Sequence, residues 1–160
     1  MGGTIVTVTP DEILAVFGYP QAHEDDADRA ANAGLEAVTK IARLGFPTGE
    51  SLQARAAMAS GVALTSQRQT LGWPLAIARG ICDLAAPNSV LATESTRRLL
   101  SAAVVCENLE RYALAGLSDP VNACRVIGNR AVASRFKAKL SNKVTRLVNR
   151  NQELQQLSEL

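Results

Sequence analysis

Aromatic side chains are scarce in this chain. Three Phe, two Tyr and one Trp make up 4% of its 160 residues. Ala, Leu and Val must therefore fill the core, and a hydrophobic content of 47% is enough to build one. The single histidine, His23, has no Ser or Cys partner motif and makes a poor catalytic base; capping or charge pairing with Glu24 or Asp26 is expected of it. Three cysteines, Cys82, Cys106 and Cys124, form neither a CxxC pair nor a zinc pattern, and their odd number excludes a closed disulfide framework. Each lies in an apolar run, so buried free thiols in a reducing cytosol are expected. No hydrophobic run reaches transmembrane length, and no basic segment leads into an apolar one at the N-terminus. Neither a membrane span nor a signal peptide is expected. A net charge of +2 is too small to indicate nucleic acid.

That charge is unevenly placed. From Asn129 onward, seven basic residues (Arg130, Arg135, Lys137, Lys139, Lys143, Arg146 and Arg150) face only Glu153 and Glu159. The tail thus carries +5 and the remainder −3. The boundary predicts a folded domain over 2–128 and a basic, solvated linker over 129–160, with helix candidates at 131–140 and 149–160.

Within the domain, Ile5 to Thr9 and Ile13 to Phe17 read as two strands around a Pro10-Asp11 turn. Glu24, Asp25, Asp26 and Asp28 open a helix, because carboxylates in a first turn complement the helix dipole. Lys40 and Arg43 match its other end. Ala27, Ala30, Ala31, Gly34, Leu35, Val38, Ile41 and Ala42 recur along one face, small enough to let the helix lie close to a sheet. Leu52 to Leu64 is strand-like. Pro74 suits the first turn of a helix whose inner face is Leu75, Ala78, Ile81, Cys82 and Ala85. Val90 to Ala92 reads as a strand, and Thr93 as the cap of a helix through Arg97, Arg98 and Leu100. Val104 to Cys106, Tyr112 to Leu114 and Cys124 to Ile127 read as further strands. Interleaved strands and helices predict a layered α+β or α/β domain.

Four segments, in order, resemble the class III nucleotidyl cyclases. Ala15-Val16-Phe17-Gly18 followed by Ala22-His23-Glu24-Asp25-Asp26-Ala27 and Arg29-Ala30 is similar to the family's run after its metal-site hairpin. RAAMASG at 55–61, APNSVLATESTRRLL at 86–100 and ALAGLSDPVNACRVIG at 113–128 resemble three later family segments. The likeness implies an α+β fold, a ferredoxin-like cyclase sandwich of a mixed sheet with helices, here without the family's first strand and its helices. The tail SRFKAKLSNKVTRLVNRNQELQQL is similar to the junction between a cyclase domain and an ATPase domain in long bacterial regulators, with Asn149 at a family glycine.

The resemblance also implies a chemistry. Such enzymes convert a purine nucleoside triphosphate into a 3′,5′-cyclic monophosphate and pyrophosphate, using two Mg²⁺ or Mn²⁺ ions at a dimer interface. Asp11 corresponds to the second metal aspartate, although Pro10-Asp11-Glu12 stands where the family has Gly-Asp-Gly, and proline fixes φ and removes a donor. The strand carrying the first metal aspartate has no counterpart. The purine-reading Lys corresponds to Thr7 and its Asp or Thr partner to Gln69, so ATP and GTP are not distinguished. In the ungapped register the transition-state Asn falls on Ala76 and the Arg on Gly80; a one-residue shift puts them on Leu75 and Arg79. Arg79 is otherwise a surface helix residue. Trp73, at an acidic family position, suits core packing, with plugging of the nucleotide pocket or anchoring of a partner as the alternatives. The leading expectation is a degenerate cyclase domain without turnover of its own. The alternatives are a half-site completed by a whole cyclase subunit, a non-enzymatic dimerisation or regulatory module, and a gene remnant. A homo- or heterodimer with another cyclase domain is expected, with no nucleic-acid or membrane partner.

Overall fold

A computed structural model describes residues 2–44, 51–65 and 70–130. Both tail helix candidates lie outside the described residues.

The elements follow from local chemistry. Strands β1 (Thr4–Val8) and β2 (Ile13–Val16) pair antiparallel around the Pro10-Asp11 turn, with Thr4 opposite Val16 and Val8 opposite Ile13. The turn is tied by its own polar atoms: Thr9 N–H donates to Glu12 O at 2.8 Å, and Glu12 N–H donates to Thr9 Oγ1 at 3.0 Å. Helix α1 (Asp26–Ala42) starts two residues after Glu24. His23 N–H donates to Asp26 Oδ2 at 2.7 Å, and the Arg29 guanidinium closes on both Asp26 and the His23 ring. Burial would raise the Asp26 pKa. The His23 amide and then the Arg29 charge outweigh it and hold the carboxyl below its ordinary value of 3.8.

Strand β3 (Arg55–Met58) is shorter than the expected Leu52–Leu64 strand. The chain breaks at Gly61, where a Cβ would stand 2.9 Å from Pro74 Cγ, and re-forms as β4 (Leu64–Thr65), which pairs with β5 (Thr70–Leu71). Helix α2 (Trp73–Leu84) begins with Pro74 in its first turn, where the missing N–H costs nothing. Strand β6 (Ser89–Thr93) is buried along its whole length. Thr93 Oγ1 accepts from Thr96 N–H at 3.3 Å and caps the short helix α3 (Glu94–Arg97).

The expected separate strands at Val104–Cys106 and Tyr112–Leu114 are one strand, β7 (Val104–Tyr112). The polar run between them looks like a loop in sequence. It stays in the sheet because Asn108 takes a left-handed conformation (φ 52°) at a bulge, which Asn tolerates better than most residues. Leu114 lies beyond the strand. Strand β8 (Val121–Asn129) is central.

The main sheet runs β3-β6-β8-β7, with β3 and β6 parallel and the other pairs antiparallel. The Asn88 backbone and side chain fix the first of these pairings. Its N–H donates to Ala54 O at 2.7 Å and its Oδ1 accepts from Ala54 N–H at 3.2 Å. Period-two alternation along β6 serves both layers. Val90 and Ala92 join Ala31, Val38, Cys124 and Val126 under α1, while Leu91 joins Ile81, Ala85 and Ala123 under α2. Gly34 lets α1 sit close, since a Cβ there would lie 3.2 Å from Val90 Cγ1. The fold is thus α+β with a mixed sheet between helices, as the resemblance implies.

All three cysteines are free, but only Cys124 is buried; Cys82 and Cys106 are half-buried, against the expectation for them. Burial, followed by a hydrogen bond with the Cys106 thiol, pushes the Cys124 thiol up to about 12.

Candidate functional site

The β1–β2 hairpin and α2 carry three of the four candidate residues. Thr7 sits in β1 opposite Leu14. Asp11 is exposed in the turn, where its Oδ1 accepts from Thr9 Oγ1 at 2.7 Å. Arg79 lies in α2 and reaches the same turn, its Nε donating to Glu12 Oε1 at 2.7 Å. Gln69 lies outside the described residues.

The ungapped alignment register has a distinct geometry. Gly80 sits on the inner side of α2, where a Cβ would stand 3.0 Å from Leu114 Cδ2. A long side chain at 80 would have to displace Leu114, whereas position 79 points a long side chain at the hairpin. Of the two positions, Arg79 is the one whose side chain reaches the turn.

Sequence reasoning missed Glu12. It stands beside Asp11 but is 67 residues from Arg79, so no local spacing announces the pair. Trp73 is a correction: it is 66% exposed at the start of α2 instead of packed in the core. A proline follows it, and the described side chains ahead of it, Leu71 and Leu64, are exposed as well. His23 pairs with Asp26, one of its two expected partners, and Arg29, which was not expected, also reaches its ring.

Two divalent cations bridged by an enzyme need carboxylates converging from neighbouring strands. No three His, Cys, Asp or Glu side chains among the described residues converge in this way. Asp11 accepts from a threonine, and its neighbour Glu12 is committed to Arg79. The described residues do not fit the two-metal site that the resemblance implies. Depressions of about 270 and 130 Å³ lie elsewhere. One is between α1 and the strand ends at Asn88 and Ile127, the other beside Asn108, Tyr112 and Arg125; neither is lined by Asp11, Thr7 or Arg79.

The guanylate cyclase domain of RhGC from Catenaria anguillulae, solved with GTP, superposes with a TM-score of 0.66 at 21% identity, over 80% of this chain and 74% of that one. The guanylyl cyclase Cya2 gives 0.68 at 20% identity, over 82% and 73%. The adenylyl cyclase CyaB from P. aeruginosa gives 0.67 at 18% identity, over 81% and 74%. The chain has the nucleotidyl cyclase fold. No protein-family profile matches it. An uncharacterized protein of Rhizobium meliloti is 31% identical over 156 residues, or 92% of this chain. The chain spans 15% of that relative's length. Among the described residues of this cyclase fold, no helix is long and apolar enough to cross a membrane.

Proposed function

We propose that this domain makes no cyclic nucleotide by itself and serves as a pairing module for another cyclase-fold domain, within a longer signalling protein. The observation that carries the reading is the state of the turn. Among the described residues Asp11 belongs to no cluster of three metal-ligating side chains, and Arg79 is engaged by Glu12 of its own chain. Loss of a metal carboxylate and of a transition-state group each commonly costs two or more orders of magnitude in rate, so together they leave no useful turnover.

Pairing is supported by where apolar surface remains exposed. Val62, Leu64, Leu71 and Trp73, around the β4–β5 hairpin, are 62–90% exposed. A cluster of this kind marks a protein contact more often than a bare solvent face. Purine nucleotide binding and Mg²⁺ or Mn²⁺ dependence belong to this reading only through a complete partner. The exposure of Asp11 keeps one variant of it open, in which the turn faces a whole cyclase subunit and contributes to a shared site.

Light scattering and a cyclic nucleotide assay with Mn-ATP and Mn-GTP on one sample test the proposal. A defined dimer that makes neither cyclic AMP nor cyclic GMP is expected, with Leu71→Asp shifting it to monomer. A wild-type monomer, or turnover by the chain alone, contradicts it. In the shared-site variant, mixing with a complete cyclase raises that partner's rate, and Asp11→Asn removes the gain.

A further inference from the structure

The ion pairs of the described residues are of two kinds. His23–Asp26, Arg29–Asp25, Arg29–Asp26, Lys40–Glu36 and Arg98–Glu94 join residues three or four apart on one helix or its cap. Glu12–Arg79 joins distant segments, spanning 67 residues between the hairpin turn and the middle of α2. The element it holds is loosely built into the domain. β1 and β2 hydrogen-bond to each other and belong to neither other sheet. No residue of 2–20 is among the buried core, and Ile5, Val8 and Ile13 are 63, 65 and 67% exposed. At the opposite end, Thr4 Oγ1 donates to Tyr19 O at 2.7 Å, and Gly18 opens the link into α1 at φ 92°, a conformation that favours glycine.

We propose that Glu12–Arg79 is a clasp. It holds the hairpin turn, and Asp11 with it, against α2. When it opens, the hairpin moves as a unit on the 18–25 link while the four-stranded sheet stays closed. Arg79 is then a positioning residue for the turn. Its side chain is 50% exposed and that of Glu12 38%, so water and salt reach the pair, and a clasp of this kind is weak and reversible. The proposal concerns the position of the turn and stands whether or not the domain pairs or turns over.

Hydrogen-exchange mass spectrometry of the full 160-residue chain tests it in three forms: wild type, Arg79→Gln, and the charge swap Glu12→Arg with Arg79→Glu. In Arg79→Gln, peptides covering β1 and β2 exchange about two- to fivefold faster, while those covering β6 and β8 are unchanged. The swap returns the hairpin to the wild-type rate, which a merely structural helix residue would not do. The proposal is overturned by a hairpin already unprotected in the wild type, by no acceleration in Arg79→Gln, by acceleration that extends equally to β6 and β8, or by a swap that fails to restore the rate.

Discussion

The four-stranded sheet with α1 and α2 differs from the two small hairpins in what its side chains face. In the sheet, β6 is buried end to end and hands alternate residues to the two helix layers. Among the described residues, the hairpins β1–β2 and β4–β5, with the residues flanking them, hold seven of the twelve exposed large hydrophobic side chains. Stability and fold likeness reside in the first region; the candidate chemistry and the sticky surface reside in the second. An unaltered core can therefore preserve a cyclase fold whatever chemistry the hairpin carries, because packing tests only the sheet.

Substitutions of one size should separate the regions. Ile81→Ala, at a fully buried position under α2, is expected to cost about 2–5 kcal/mol in urea unfolding. An intermediate effect is expected at Asp26, which anchors α1 next to the hairpin. Asp26→Asn should cost about 1–2 kcal/mol near neutral pH, because the charged hydrogen bond and ion pair with Arg29 become neutral. Because the folded Asp26 carboxyl lies below its ordinary value of 3.8, its contribution is complete above that value and is lost as the pH falls through the folded one. The gap between wild type and Asp26→Asn should thus close in acid, and a gap that widens there would sink the assignment. Ile13→Ala, on the open face of the hairpin, should stay within about 0.5 kcal/mol. Equal costs at Ile81 and Ile13 would erase the comparison.

Much of the sheet region was legible because its signals are local. The acidic first turn of α1, Pro74 at the start of α2 and the Thr93 cap each depend on residues within four positions. β7 was misread where Asn108 carries the chain through a bulge that polar residues disguise as a loop. The hairpin itself was legible from the Pro10-Asp11 turn, but its place in the domain was not. Glu12 and Arg79 meet through the fold, and no pattern in either segment reports the other. Trp73 failed for a related reason: aromatic character predicts burial only when a neighbouring layer exists to cover it, and at the start of α2 the described neighbours are exposed themselves.

The decisive property is metal binding at Asp11, which shares the hairpin turn with Glu12. Titrating the chain with Mn²⁺, alone and with a non-hydrolysable nucleoside triphosphate, and following free Mn²⁺ by electron paramagnetic resonance measures it directly. The account predicts no stoichiometric, saturating site in the micromolar range and no difference between wild type and Asp11→Asn. Two ions bound per chain, lost in Asp11→Asn, would contradict it.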